Sequence, residues 1–196
     1  MRKTIISFII LAAGLVVSAC QSQRITVASD VISTEQIRTV RSSAFQLEMP
    51  GVTYKVALQA ECDEKMGYVR WTLTLDSPHR IGSGQSLLMR TDDGQQFFLV
   101  STQEGVLSKD EFVTRRGDVI SRMKGYRTYY VMGENFLNIL DGTEIVKLRI
   151  KNEAGYKDKI LDKQQQTAMR QFFKEARNAM KKRLEIPADD MISKGF

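Results

Sequence analysis

The sequence predicts an α+β domain, built as an antiparallel β-sheet or two-sheet sandwich that carries a C-terminal amphipathic α-helix. Two observations lead to this class. Through the middle of the chain apolar residues alternate with polar ones, which is typical of strands with one buried face. Near the C-terminus apolar residues recur at helical spacing instead. A series of strands followed by a helix is typical of the α+β class.

The alternation predicts most of the strands individually. It is clearest in the segments 45–49, 54–62, 69–75, 125–132 and 143–151. A hairpin is predicted where 87–90 and 96–100 flank Asp92-Asp93-Gly94, because Asp-Gly supports the positive backbone angles of a tight turn. Cys62 continues the apolar positions that begin at Tyr54, so we expect it in the core as a small inert residue.

One short and one long helix are predicted. ENFLNIL, residues 134–140, is a short helix or turn that Asp141-Gly142 ends. Residues 103–125 are ambiguous, and one alternative for them is a short helix that begins at Ser108, where Glu111 completes a capping box. The last helix spans 162–185, with Asp162 as its N-cap and Gln165 completing a capping box. Its apolar stripe consists of Met169, Phe172, Phe173, Ala176, Met180 and Leu184. We expect this stripe to pack on the sheet. The alternative is that the helix is free and lies on a membrane.

The first twenty residues have the pattern of a secretory signal. Arg2 and Lys3 precede an uncharged apolar run over residues 5–17, and small residues follow it. This run is shorter than the about 20 residues that a membrane-spanning helix needs. We therefore expect residues 1–19 to be removed.

Val17-Ser18-Ala19-Cys20 resembles the lipobox of bacterial lipoproteins, which is an aliphatic residue, two small residues and a cysteine. The resemblance implies that signal peptidase II cuts before Cys20, which carries a diacylglyceryl group and an acylated amine. The membrane is then a partner through these acyl chains. The expected organisation is a signal peptide (1–19), a lipidated tether (20–35), one domain (36–186) and a tail (187–196).

The residues after Cys20 indicate a location within the envelope. Gln21 stands where an aspartate often retains enterobacterial lipoproteins on the inner membrane, so the outer membrane is expected. The segment QSQR lacks the acidic tract of surface-displayed lipoproteins, which favours the periplasmic face. In overall form the chain resembles the uncharacterised small envelope lipoproteins of Bacteroidota-type bacteria, and no motif assigns it to a named domain family.

Charge is unevenly distributed along a chain of formal net charge +6. Residues 147–183 hold twelve Lys and Arg against four Asp and Glu. An anionic partner is one explanation, with its contacts made by Arg170, Lys174, Arg177 and Lys181 on one flank of the last helix. A solvated lysine-rich helix is the other. Nucleic acid is not an expected partner of an envelope protein.

Motifs for chemistry are sparse, so we expect no enzyme, metal or cofactor. His79 is the only histidine and no GxSxG is present, although a hydrolase built on His79 stays an alternative. Tyr126 and Tyr130 share a strand face and are candidates for stacking on a glycan, with core packing as the alternative. The favoured function is a lipid-anchored binding or assembly module for an envelope protein or glycan. A structural subunit of an envelope complex is the alternative.

Overall fold

A computed structural model describes residues 25–32, 37–49, 51–63, 65–116, 119–153 and 155–185. The predicted signal peptide 1–19, Cys20 and the tail 187–196 lie outside the described residues. The described chain is mostly antiparallel β-sheet with two helices, which confirms the α+β class.

The larger sheet has seven strands in the order β1-β2-β4-β5-β9-β8, with β3 paired to β4. Their bounds are β1 (Val27–Ile32), β2 (Ile37–Ser42), β3 (Phe45–Met49), β4 (Val52–Asp63), β5 (Tyr68–Ser77), β8 (Val106–Arg116) and β9 (Val119–Met132). The smaller sheet has four strands in the order β11-β10-β6-β7. These are β6 (Ser86–Thr91), β7 (Gln96–Val100), β10 (Ile145–Asn152) and β11 (Gly155–Ile160).

The predicted hairpin around Asp92-Asp93-Gly94 is confirmed. Strands β6 and β7 pair from Ser86↔Val100 to Arg90↔Gln96, and Gly94 has the positive φ of 86° that the tight turn requires. Asp93 fixes the turn because its carboxylate accepts hydrogen bonds from the Thr91 hydroxyl and from Gln95.

Two helices complete the fold. Helix α1 (Glu134–Gly142) follows β9 directly, and α2 (Lys163–Leu184) follows β11. The predicted capping box of α2 is present: Asp162 accepts from the Gln165 N–H at 2.8 Å, and the Gln165 side chain accepts from the Asp162 N–H. At the other end, Arg38 of β2 donates to the Leu184 carbonyl at 2.7 Å, which joins the C-terminus of α2 to the larger sheet.

The predicted stripe of α2 packs into the core, so the helix does not lie free for a membrane. Met169, Phe172, Phe173, Ala176 and Met180 are buried. They join one hydrophobic cluster that includes Leu73 and Leu75 of the larger sheet and Leu148 and Ile150 of the smaller one. Both sheets and α2 therefore share a single core.

The structure decides the ambiguous stretch and corrects one assignment. Residues 108–116 form part of strand β8 and not the alternative short helix, because pairing with β9 over Glu111↔Lys124 to Arg116↔Val119 overrides the local capping-box pattern. Strand β1 lies inside the range 20–35 that was assigned to a tether, and it pairs with β2 from Val27↔Ser42 to Ile32↔Ile37. The folded part of the chain consequently begins nearer to Cys20 than the sequence suggests.

Candidate functional site

The basic flank of α2 contacts α1, and this corrects the expectation that all of it faces a partner. Arg177 is buried, with its guanidinium donating to Asp141 at 2.5 Å and to Glu134 at 3.4 Å. Only Arg177 of this group is buried, since Asp141 is partly exposed and Glu134 is exposed, and its two contacts join α2 to α1. Arg177 is thus a packing residue that an external anion does not reach.

The other three predicted contact residues are more accessible. Lys181 lies 3.7 Å from Glu134, and Arg170 lies 4.0 Å from Glu144, the residue before β10. The pKa of Glu144 is lowered, first by its hydrogen bond from Lys163 and then by the charges of Lys163 and Arg170. Lys174 is exposed. Acids of the chain itself therefore lie beside much of this flank.

The two tyrosines proposed for ligand stacking do not form a platform. The Tyr130 side chain is 0% exposed, so its ring is part of the core and cannot stack on a glycan. Burial, and then the neighbouring Tyr54, raise the pKa of Tyr130. Tyr126 is half-buried beside Ser77 and Leu107. Tyr126 and Tyr130 do share a face of β9, but this face points into the core. Alternation predicts that two residues share a face and does not predict whether that face is buried or exposed.

Cys62 is half-buried rather than in the core, which corrects the prediction from alternation. It lies near the end of β4, where α2 ends at Leu184 and leaves a cleft of about 620 Å³. The walls of the cleft include Cys62, Tyr68, Val69, Trp71, Met132 and Leu184. The alternation fails because β4 continues past the part of the sheet that the core covers.

The cleft has the volume of a small-molecule site, but its rim cations already have partners. Arg70 forms an ion pair with Glu61 of the same hairpin, and Lys181 lies beside Glu134. Apart from these paired charges, the cleft is lined by a mixture of polar and apolar residues around the half-buried Cys62. This arrangement offers shape and apolar area rather than a convergent set of catalytic groups.

The surroundings of His79 do not resemble a hydrolytic triad. The Ser77 hydroxyl donates to the His79 backbone carbonyl instead of the imidazole. The neighbouring Asp76 is buried, and Arg127 binds its carboxylate through two hydrogen bonds of 2.7 Å. Arg41 lies 3.6 Å from the same carboxylate. Because these contacts occupy its carboxylate, Asp76 stabilises the packing of neighbouring strands and does not orient the His79 imidazole.

Strands β8 and β9 continue past the rest of the larger sheet. Pairing of β9 with β5 ends at Ser77↔Tyr126, whereas pairing of β8 with β9 continues over Glu111↔Lys124 to Arg116↔Val119. Residues 111–116 and 119–124 therefore form a two-stranded segment roughly 20 Å long, at about 3.3 Å per residue. We call this segment the ribbon.

One aromatic contact holds the base of the ribbon. Phe112 is buried against Gly125, where a Cβ would overlap its ring and lie 2.8 Å from the Ser77 carbonyl oxygen. The Lys55 ammonium lies 5.4 Å from the centre of the same ring. Only glycine leaves room for this ring, so Gly125 and Phe112 together set the direction of the ribbon.

Beyond Phe112 the ribbon exposes apolar side chains. Val113 is 59% exposed and Ile120 is 64% exposed, on the same face of the ribbon, and Met123 is exposed on the other. Among the described residues, β8 pairs with no strand other than β9. Its outer edge is therefore the edge of the seven-stranded sheet.

Two further features concern the described residues only. They contain no group of three or more His, Cys, Asp or Glu side chains arranged to hold a metal ion. Neither described helix is long and apolar enough to cross a membrane.

Comparison of the chain with protein-family models, with curated proteins and with solved structures found no match.

Proposed function

We propose that this chain is a lipid-anchored envelope lipoprotein that acts as a binding or assembly module and holds a partner protein through its ribbon. Acyl chains on Cys20 anchor it to the outer membrane, on the periplasmic face. The observation that carries the assembly role is the ribbon, with Val113 and Ile120 exposed next to the outer edge of β8, which no other described strand pairs.

The physical argument concerns stability and solubility. A two-stranded segment without a third strand is marginal in water. Exposed edges that carry apolar side chains invite pairing with another chain, and soluble proteins usually protect them. A partner that adds a strand to β8 would satisfy the edge and cover Val113 and Ile120. Assembly with a partner therefore accounts for both the exposed edge of β8 and the exposed apolar side chains of Val113 and Ile120.

A structural subunit of an envelope complex is the closest alternative, and it would use the same surface. A hydrolase that uses His79 is less well supported, since Ser77 and Asp76 are bound to other groups. Glycan stacking loses its main support with the burial of Tyr130. The chain is thus proposed to be a non-enzyme.

For the finer architecture, we infer a two-sheet sandwich with α2 along one side. Leu73 and Leu75 of the larger sheet, together with Leu148 and Ile150 of the smaller one, line one small internal cavity. Met169 and Phe173 of α2 close the same cavity. Facing apolar sides of two sheets around a common core are typical of sandwich packing.

Site-specific photo-crosslinking tests the assembly role in the bacterium that encodes the chain. A photoreactive amino acid replaces Val113 or Ile120 in the full-length protein, and a control carries it at Asn178, which is exposed on α2. We expect positions 113 and 120 to give an adduct of one common mass that position 178 lacks. Glutamate at Val113 should reduce the adduct from position 120 at least tenfold.

Two outcomes would contradict the proposal. One is the absence of adducts at both ribbon positions. The other is an identical adduct pattern from all three positions, because that indicates collision rather than docking. Adducts confined to position 178 would move the partner surface to α2.

A further inference from the structure

The smaller sheet presents a set of cations on the face that points away from the core. Strand register places Lys147 of β10 beside Arg90 of β6, and Arg149 one row further along. Lys151 follows on the same side of β10, because alternate residues share a face. We call this surface, defined by Arg90, Lys147, Arg149 and Lys151, the basic face.

The basic face has one carboxylate among its described residues, Asp158 of β11. Asp158 accepts two hydrogen bonds from Arg149, at 2.6 and 2.7 Å, and lies 3.3 Å from Lys147. The bonds from Arg149 are the main reason that the pKa of Asp158 falls to about 2. In the described part of the chain, Arg90 and Lys151 form no ion pair. The face therefore keeps a positive excess.

Exposed apolar residues border these cations. Phe98 is 65% exposed, Tyr156 is 61% exposed and Ile160 is 75% exposed. The Tyr156 ring lies under two of the cations, with Arg149 at 5.5 Å and Lys151 at 5.8 Å from its centre. Cations interleaved with exposed rings and aliphatic side chains are typical of surfaces that enter the membrane interface.

The position of β1 brings the domain close to any membrane that holds Cys20. Because β1 begins at Val27, residues 20–26 span at most roughly 25 Å when fully extended. This distance is about that of the headgroup region and a thin water layer. Some face of the domain must then lie near lipid, a step that rests on the proposed anchor.

We propose that the basic face docks on anionic phospholipid headgroups of the anchoring membrane. Negative headgroups attract Lys and Arg within a Debye length, and the bordering rings gain burial at the interface. The stripe of α2 cannot supply this contact, since it is in the core. The lipid anchor and the basic face thus form a pair of membrane signals that fix the orientation of the domain.

The experiment uses the full lipidated protein, purified from membranes and reconstituted into vesicles. In a Cys62→Ser background, an environment-sensitive fluorophore is attached at Phe98→Cys or, as a control, at Asn178→Cys. Vesicles contain phosphatidylcholine alone or with one third phosphatidylglycerol, plus a headgroup spin-labelled lipid that quenches nearby fluorophores. We expect strong quenching at position 98 in phosphatidylglycerol vesicles, at least threefold above position 178.

Matched variants test the charge. Arg90→Glu with Lys151→Glu should abolish the excess quenching at position 98, whereas Lys65→Glu with Lys182→Glu, an equal change of charge on exposed residues elsewhere, should not. In the labelled protein that carries neither pair of charge changes, 1 M salt should abolish the excess quenching as well, because the Debye length is then about 3 Å.

Equal quenching at both positions, or quenching that ignores salt and phosphatidylglycerol, would overturn the proposal. The intact mass of the same sample reports the acyl groups independently. An acylated protein without the expected quenching refutes the docking face alone, and a protein without acyl groups refutes the anchor.

Discussion

Arg177 shows how one residue can carry the contact between two elements. Its guanidinium reaches both Asp141 and Glu134 of α1, and Arg177 itself is one of the buried residues of α2. From the sequence alone Arg177 belonged to a basic flank together with Lys174. The two residues differ because α1 packs against Arg177 and not against Lys174. The spacing of residues within α2 gives no information about where α1 lies.

Replacing Arg177 with alanine should destabilise the domain by roughly 1–3 kcal/mol, because it removes the hydrogen-bond donors of the partly buried Asp141 carboxylate. Thermal or urea unfolding measures the change. Lys174→Ala is the matched control on the same flank, and it should change stability by less than about 0.5 kcal/mol. Arg177→Met combined with Asp141→Leu should recover most of the loss. Equal effects at positions 174 and 177 would contradict the burial of Arg177.

Gly125 offers a second test at the residue scale. Alanine there should cost roughly 1–3 kcal/mol, because its Cβ would overlap the Phe112 ring and crowd the Ser77 carbonyl. Gly142→Ala is the control, since nothing lies within 4 Å of a Cβ built at that position. Adding Phe112→Ala to Gly125→Ala should remove part of the new penalty. A fully additive double mutant, measured by unfolding, would show that the two residues do not touch.

At the scale of elements, the sequence predicted a structure correctly where the contacts that form it lie between residues close together in the chain. The hairpin at Asp92-Asp93-Gly94 and the capping box of Asp162 are local, and both are confirmed. Strand β8 is not local. Its Ser108 and Glu111 imitate a helix start, and only pairing with β9 overrides that signal. The pattern of apolar residues therefore did not predict the ribbon.

Helix α2 gives the prediction that belongs to this scale. Phe172 packs against Phe45 of β3 and Phe173, with ring centres 5.4 and 5.3 Å away. Phe172→Ala should reduce the free energy of unfolding by roughly 3–5 kcal/mol, as for other buried large-to-small changes. Lys174→Glu, on the exposed side of the same helix, should leave the melting temperature nearly unchanged. An unchanged stability in Phe172→Ala would mean that α2 does not cover the sheet.

For the whole molecule, the proposed surfaces lie on different elements. The ribbon belongs to the larger sheet, the basic face belongs to the smaller one, and α2 fills the core that they share. A protein partner and a membrane can then be bound by separate surfaces. The sequence predicted the class of fold, but Phe98 and Arg149 lie in one row, on either side of Leu88, only through the register of three strands.

The anchor itself is the last expectation, and the assignment of both surfaces to an envelope depends on it. Val17-Ser18-Ala19-Cys20 predicts a mature chain that begins at Cys20 and carries a diacylglyceryl group and an N-acyl chain. Intact-mass measurement of protein extracted from membranes should therefore show the loss of residues 1–19 and the added mass of these groups. Two or three acyl chains hold a protein on a membrane almost permanently, because each buried CH₂ contributes about 0.8 kcal/mol. Cys20→Ser should abolish the modification and leave the signal uncleaved, while Cys62→Ser, the control at the other cysteine, should leave both unchanged. A wild-type protein that keeps residues 1–19, or one that is cleaved without gaining lipid, would refute the lipoprotein assignment.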